Sequence, residues 1–198
     1  MPKVTAEHRA ARRRQILDAA LRCVAREGFH KTTMAHVIAE SGLSAGAVYG
    51  YFTSKPELIR AIAERAVGGF ADALYDVATG PGPVTVQMAL EAVIARVDGL
   101  LDETDGEFAR VAMHSWSEAA RDPEVLTIVR GNVAYVREGW ERVLARAEAD
   151  GTLSPRTDQT ATAAVLLSMT PGYVIQHLFL GDVDGPTYVA AFAALAES

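Results

Sequence analysis

The chain has 198 residues, of which 49% are hydrophobic, enough to build one or two compact domains with buried cores. No uncharged apolar run of about 18 residues is present, which argues against a membrane span. The basic segment 1–14 lacks the apolar run of a secretory signal. Cys23 is the only cysteine, so an internal disulfide is excluded and a cytoplasmic location is expected.

The formal net charge is −6, but the two ends of the chain differ in sign. Residues 1–60 hold ten Lys or Arg and five Asp or Glu, a net charge of +5, whereas residues 61–198 carry −11. A basic N-terminal region followed by an acidic remainder is the charge distribution expected of a protein whose N-terminal part binds the phosphates of a nucleic acid. A chance cluster of charges is the alternative explanation.

Apolar residues recur at helical spacing along nearly the whole chain, and no sustained alternation predicts a strand. Thr33, Ser44 and Asp122 are expected N-caps, and Gly28 is expected to end the first helix. The predicted helices are about 8–27, 34–40, 45–52, a fourth from a capping box at 54–57 to the break at 79–83, then 85–103, 107–121, 123–149, 158–180 and 186–196.

Two short helices joined by a glycine turn and braced by a longer helix predict a helix-turn-helix. The second short helix, about 45–52, would enter the major groove of DNA. Its apolar face is complete without Tyr49 and Tyr51, so their hydroxyls are available for contacts. Gly46 removes a side chain at a point where the backbone could approach DNA.

Lys55 lies in the first turn of the fourth predicted helix, where a cation is unfavourable by ~0.3–1 kcal/mol. A phosphate would offset that cost, and a solvated surface lysine is the alternative. The free N–H groups at the helix starts capped by Thr33, Ser44 and Ser54 also suit phosphate oxygens.

The segment from about Ile16 to Leu58 resembles the DNA-binding domain of the TetR family. The matching residues are Ile16-Leu17-x-Ala19-Ala20, Gly28-Phe29, Thr32-Thr33, Ile38-Ala39-x-x-Ser41-Gly42-Leu43-Ser44 and x-Gly46-x-Val48-Tyr49-x-Tyr51-Phe52-x-x-Lys55-x-x-Leu58. The resemblance implies a DNA-binding transcriptional regulator, usually a repressor, that acts as a homodimer on a near-palindromic double-stranded operator.

The resemblance also implies roles for individual residues. Phosphate contacts are expected from Thr33, Ser44, Tyr49, Tyr51 and Lys55, and approach to base edges from Ala45, Gly46, Ala47 and Tyr49. Two of these residues, Ala45 and Ala47, can make only apolar contacts, for example to thymine methyls, so this helix alone is not expected to set specificity. The arginines at 12–14 are interpreted either as an arm that contacts DNA or as a solvated basic run.

The predicted fold is therefore all-α, with about nine helices in a helix-turn-helix domain and a C-terminal helical bundle for ligand binding and dimerisation. The predicted ranges are 1–54 for the DNA-binding domain, 55–80 for a connecting helix and 81–198 for the bundle. The last two helices are rich in apolar residues and are expected to form the dimer interface. Burial of both helices within one subunit is the alternative.

The resemblance further implies that a small-molecule effector binds among the C-terminal helices. Large or polar residues on the predicted helices could line such a site, although residues of this kind more often fill the core or an interface. These candidates are Met113, Trp116, Ser117, Tyr135, Trp140, Tyr173, Gln176 and His177. Pro171 is expected to kink the eighth helix and to free the carbonyl of Leu167.

No catalytic or cofactor-binding motif is present, so neither an enzyme nor a cofactor is predicted. His114 and His177 are too isolated to predict a metal site. A helical adaptor that binds protein and not DNA is the alternative function. Binding to duplex DNA that falls steeply with salt would distinguish a regulator from an adaptor.

Overall fold

A computed structural model of the chain describes residues 6–196, apart from the side chains of residues 66 and 67. The predicted all-α class is confirmed, since this part of the chain contains helices and no strand. The helices are α1 (Ala6–Lys31), α2 (Met34–Ser41), α3 (Ala45–Tyr49), α4 (Lys55–Thr79), α5 (Val86–Glu103), α6 (Glu107–Ala119), α7 (Pro123–Ala149), α8 (Gln159–Phe179) and α9 (Gly185–Ala196). None of these helices is both long and apolar enough to cross a membrane.

The helices form two compact units. The first unit extends to Arg65 and also includes Arg110–Val129, and the second contains Ala66–Ala109 and the described residues from Arg130 onward. In the first unit, the buried faces of α1 to α4 share one apolar core with Val111 of α6 and Ile128 of α7. The helix-turn-helix therefore packs on parts of α6 and α7 as well as on α1.

α1 is interrupted at Gly28, where the prediction placed its end. Gly28 has φ 75° and ψ 169°, and one further helical turn follows before Thr32. A Cβ added at Gly28 would lie 3.3 Å from Nδ1 of His114. Both the positive φ and the close histidine therefore favour glycine at this position.

α3 is shorter than predicted: it ends at Tyr49, whereas the pattern predicted an end at Phe52. The N–H of Tyr51 donates to the carbonyl of Val48 at 3.0 Å, three residues earlier, so the chain tightens after Gly50. Phe52 is still buried, as the pattern predicted, but from this turn. α6 similarly ends two residues early, at Ala119, where the N–H groups of Arg121 and Asp122 both donate to Glu118.

The predicted caps at Thr33, Ser44 and Asp122 are confirmed, since each side chain accepts an N–H from the first turn of the following helix. The capping box at Ser54 differs from the prediction. Ser54 Oγ accepts the N–H of Glu57 at 3.3 Å, but the Glu57 carboxylate accepts the N–H of Thr53 at 2.7 Å, one residue earlier. The Thr53 hydroxyl also donates to this carboxylate, and these two bonds lower the pKa of Glu57.

In the second unit, α5 packs against α8 and α9 around a buried core. A Cβ added at Gly185 would lie 2.8 Å from Cγ2 of Ile94, so the start of α9 approaches α5 too closely for a side chain. Asp150, just after α7, accepts the N–H of Val84 and the Nε of Arg146 at 2.9 and 2.8 Å, which holds the segment before α5 in place. α8 continues through Pro171, and its kink stays a prediction.

Candidate nucleic-acid interface

The turn between α2 and α3 depends on one glycine. Gly42 adopts the left-handed conformation, φ 67° and ψ 14°, and its N–H donates to the carbonyl of Ala39. Ser44 then caps α3, because its hydroxyl accepts the N–H of Ala47 at 3.2 Å. The two short helices are thus joined by three residues, and the left-handed glycine sets the angle between them.

Side chains of α1 hold α2 in position. The amide of Gln15 donates to the carbonyl of Ser41 at 2.8 Å, at the end of α2. Arg22 donates to Glu40 at 2.7 Å, and Arg26 approaches the other oxygen of that carboxylate at 3.5 Å. The hydrogen bond from Arg22 is the main reason why the pKa of Glu40 is lowered. The sequence analysis missed these contacts, because they join residues 14 to 26 positions apart.

The residues predicted to contact DNA lie largely on the outer surface of the first unit. Thr33, Ser44, Ala45, Gly46 and Tyr49 are exposed, and Ala47, Tyr51 and Lys55 are half-buried. The opposite face of the α3 segment is buried, with Val48 and Phe52 only 0% and 1% exposed. The structure therefore separates an outer face of polar and small residues from an inner apolar face, as the pattern predicted, except that Tyr51 packs partly against the core.

Gly46 is not required by the packing of the free protein. A Cβ added at this position meets no atom within 4 Å, and its φ is not in the left-handed region. By contrast, Gly42 needs its left-handed φ. Glycine in an exposed helix costs about 1 kcal/mol relative to alanine, and the packing of the folded chain gives no reason for that cost at position 46. Close approach of another molecule to this backbone would give one, because Gly46 lies on the face predicted to contact DNA.

Lys55 has a partner within the protein. Its Nζ donates to the carbonyl of His30 at 3.3 Å, in the last turn of α1, where the helix dipole favours a cation. The His30 carbonyl therefore offsets the cost of a cation at the start of α4 within the protein itself, through a contact that the sequence pattern did not include. The ammonium has three N–H donors and uses one of them here, so it still has donors for a phosphate oxygen.

The three arginines at 12–14 have different surroundings. Arg12 donates to the side chain of Gln15 at 2.7 Å, and the guanidinium of Arg13 lies 5.3 Å from the centroid of the Phe52 ring. Arg14 is exposed. The preceding part of the basic segment, residues 1–5, lies outside the described residues. Arg13 thus brings a positive charge next to the segment that follows α3.

The predicted effector-binding residues are distributed over both units. Met113, Trp116 and Ser117 belong to the first unit, and the other five belong to the second. Tyr135 is exposed, Gln176 is half-buried and Trp140 is fully buried. The second unit brings Tyr173 and His177 together, with 6.4 Å between their ring centroids.

Tyr173 is held by a residue that sequence reasoning did not find. Its hydroxyl donates to Asp98 Oδ1 at 2.6 Å, and its ring lies 5.0 Å from that of Tyr188. Burial, reinforced by this hydrogen bond, raises the pKa of Tyr173 above its usual value. Asp98 lies 75 positions earlier in the chain, so no local pattern could have predicted the pair. Within 6–196, no cluster of His, Cys, Asp and Glu could hold a metal ion.

Comparison with known proteins agrees with this geometry. Residues 16–62 match the family described as bacterial regulatory proteins, tetR family, and residues 86–198 match the C-terminal domain of BetI-type transcriptional repressors. The HTH-type regulator YfiR of Bacillus subtilis is 30% identical over 93% of this chain and 90% of its own length. The regulator BetI of Rhizobium meliloti is 30% identical over the whole chain and 90% of its own length.

Solved structures share the fold. A SmeT–triclosan complex is 25% identical, with a TM-score of 0.75, and the match covers 87% of this chain and 82% of that one. The fold, the exposed face of α3 and these matches define a DNA-binding transcriptional regulator of the helix-turn-helix class. The chain belongs to the TetR family of bacterial regulatory proteins. The matched families and relatives are regulators and not enzymes.

Proposed function

We propose that the protein is a ligand-responsive repressor that binds a near-palindromic operator as a homodimer. The outer face of α3 carries this proposal, because Ser44, Gly46 and Tyr49 are exposed while no packing requirement explains the glycine. One short helix contacts too little DNA for tight and specific binding, so a two-fold pair of such helices is needed. Repression is favoured because the C-terminal match is to BetI-type repressors.

The second unit offers a surface for the dimer. Val165, Phe179 and Leu180, on and just after α8, are 63%, 68% and 65% exposed in the single chain, and Ile175 is also exposed. At 3.6 residues per turn, Val165, Ile175 and Phe179 lie within about 80° of one another around the helix axis. An apolar stripe of this kind is typical of a protein interface. It supports dimerisation through the last two helices.

The proposed effector response rests on the second unit and on a relative. The SmeT structure holds triclosan, so that protein binds a small aromatic molecule. In this chain, the eight predicted effector-binding residues remain candidates. Five of them lie on α7 and α8 of the second unit, and one of these five, Trp140, is fully buried. An effector that binds this region and favours one spacing of the two α3 helices would release the operator.

The proposal predicts that Tyr49→Ala and Lys55→Ala weaken operator binding and leave the dimer intact. Operator duplexes come from selection out of random DNA, and affinity is measured by gel-shift titration beside sedimentation. Each variant should lose about tenfold in affinity, or 1.4 kcal/mol. Lys55→Ala loses one phosphate contact. The slope of log affinity against log salt concentration should therefore also become shallower by about one.

Tyr75→Ala is the matched control, since it removes an exposed tyrosine from the second unit. This variant should bind the operator as the wild type does. Unchanged affinity of both test variants would remove Tyr49 and Lys55 from the contact surface. Failure of the wild type to bind any duplex at low salt would favour the adaptor that binds protein.

A further inference from the structure

A cavity of about 550 Å³ opens on the surface of the first unit. Its wall includes His30 in the last turn of α1, Glu118 in the last turn of α6, and Arg121, Asp122 and Pro123 around the start of α7. These residues are exposed or half-buried, so a ligand can enter from solvent. The volume lies within the range of small-molecule sites, about 300–1,000 Å³. None of the eight predicted effector-binding residues is part of this wall.

The backbone turns the charged side chains that follow α6 to one side. The N–H groups of Arg121 and Asp122 donate to the carbonyl of Glu118 at 2.9 and 2.8 Å, so one more helical turn follows the end of α6. Residues three and four positions apart lie on the same side of such a turn. Two carboxylates and a guanidinium therefore reach the same cavity, together with His30 from the end of α1.

Three of these side chains have no partner among the described residues 6–196. His30, Glu118 and Arg121 form neither a side-chain hydrogen bond nor an ion pair there. By contrast, Arg22 and Glu40 of the same unit pair at 2.7 Å. Opposite charges thus line one cavity without neutralising each other, and their hydrogen-bonding groups are available to a ligand.

The charges around the cavity select a ligand that carries both signs. At neutral pH a glutamate carboxylate accepts hydrogen bonds and an arginine guanidinium donates them. Asp122 adds a second carboxylate, although its Oδ1 already accepts the N–H of Glu124 at 2.8 Å as the cap of α7. A simple anion would meet two carboxylates and a simple cation would meet the guanidinium, so part of the wall repels each of them. A molecule with one group of each sign meets a complementary partner for both.

We propose that this cavity binds the zwitterion of a free α-amino acid. The ammonium group of the amino acid donates to Glu118, and its carboxylate accepts N–H groups from Arg121. The Pro123 ring contacts the side chain of the amino acid. The imidazole of His30 supplies one further donor or acceptor.

The cavity is linked to a residue predicted to contact DNA. The carbonyl of His30 accepts the Nζ of Lys55 at 3.3 Å, so a residue of the cavity wall also holds a predicted phosphate contact. α1 and α6 contact each other next to the cavity, since a Cβ added at Gly28 would lie 3.3 Å from Nδ1 of His114. A ligand that fixes His30 therefore changes the surroundings of Lys55 and, with them, the operator affinity. This coupling rests on the proposed function, whereas the binding site does not.

NMR of the histidine side chains measures binding to the protein without DNA. The chain has five histidines, and His30→Gln identifies the His30 signal. The probes are the twenty common L-amino acids, each beside its amide, which lacks the carboxylate, and its N-acetyl derivative, which lacks the ammonium. At least one amino acid should shift the His30 signal and bind at least about tenfold more tightly than either derivative. No shift with any of them, or equal binding of all three forms, would overturn the proposal.

Two variants assign the two charges of the ligand to residues. In Arg121→Met, the amino acid should lose its advantage over its amide, because the partner of its carboxylate is gone. In Glu118→Gln, it should lose its advantage over the N-acetyl derivative. Arg110→Met, which removes an exposed arginine of the first unit, is the matched control and should keep both preferences. A preference for the amino acid over its amide that persists in folded Arg121→Met protein would contradict the site.

Gel-shift titration separates this inference from the proposed function. The amino acid should change the operator affinity several-fold in the wild type and not in Arg121→Met. Unchanged operator affinity at saturating amino acid would overturn the coupling through His30 and Lys55. Binding of the amino acid by a protein that binds no duplex would support the site and overturn the repressor.

Discussion

At the scale of single residues, the glycines of the first unit serve different needs. Gly28 and Gly42 have positive φ, so their identity follows from backbone geometry. Gly46 has neither a positive φ nor a close neighbour, and it lies on the exposed face proposed to meet DNA. Stability and function should therefore respond in opposite directions when Gly46 is changed.

Gly46→Ala is expected to stabilise the free protein by up to about 1 kcal/mol, because alanine favours the helix. It should also weaken operator binding, because the added methyl group keeps the backbone away from the duplex. Thermal unfolding and gel-shift titration measure the two effects. Gly131→Ala, at an open and exposed position of α7, is the control that should gain stability without losing affinity. Tighter operator binding by Gly46→Ala would contradict the proposed contact.

Some residue roles were predictable from the sequence and others were not. The caps Thr33 and Ser44 were found because a cap and its partner lie within three residues. The hydrogen bond from Gln15 to Ser41 spans 26 positions, and the contact of Lys55 with His30 spans 25. Bonds of this kind depend on how helices pack, which local spacing does not encode.

At the scale of elements, the position of α3 depends on how α1 holds α2. The brace consists of the Gln15–Ser41 bond and of the pairs that Arg22 and Arg26 form with Glu40. Most helix bounds were predicted within about two residues, because capping residues, prolines and glycines stand at the ends. The end of α3 was wrong, because Tyr51 and Phe52 continue the apolar pattern through a tightened turn.

The brace predicts a dependence of stability on pH. The pKa of Glu40 in the folded protein lies below its ordinary value of 4.5, chiefly because of the bond from Arg22. A lowered pKa means that the carboxylate stabilises the fold above about pH 4.5, and that this stabilisation is lost as the pH falls further. Glu40→Gln should therefore lower the urea midpoint of unfolding at pH 7. As the pH falls below 4.5, the midpoint of this variant should decrease less than that of the wild type.

Urea unfolding between pH 7 and pH 3 measures this effect. Glu91→Gln, which removes an exposed carboxylate from α5, is the matched control and should retain the decline of the wild type. A decline in Glu40→Gln as steep as that of the wild type would show that the pairs with Arg22 and Arg26 contribute nothing to stability.

At the scale of the whole molecule, the chain combines a basic first sixty residues with an acidic remainder. The class and the family follow from the sequence, because the helix-turn-helix is encoded by short-range spacing and fixed glycines. The participation of Val111 and Ile128 in the core of the first unit did not follow, since both lie far from the motif along the chain. Specific operator binding also requires dimerisation, because a single α3 helix contacts too little DNA.

Phe179→Asp tests whether dimerisation is required for operator binding. A charge in the apolar stripe of α8 should convert the dimer to monomers, because its burial in an interface costs several kcal/mol. Operator affinity should then fall by at least about a hundredfold, while the helical content is kept. Circular dichroism, sedimentation and gel-shift titration measure the three quantities. A Phe179→Asp protein that sediments as a dimer would exclude this stripe from the interface.

The most direct measurement is the stoichiometry of the protein on its selected operator, followed by sedimentation at increasing salt. We expect two chains per duplex at saturation, and an affinity that falls steeply as salt rises, because Lys and Arg displace counterions from phosphates. One chain per duplex, or an affinity independent of salt, would contradict the paired binding of α3 helices in successive grooves.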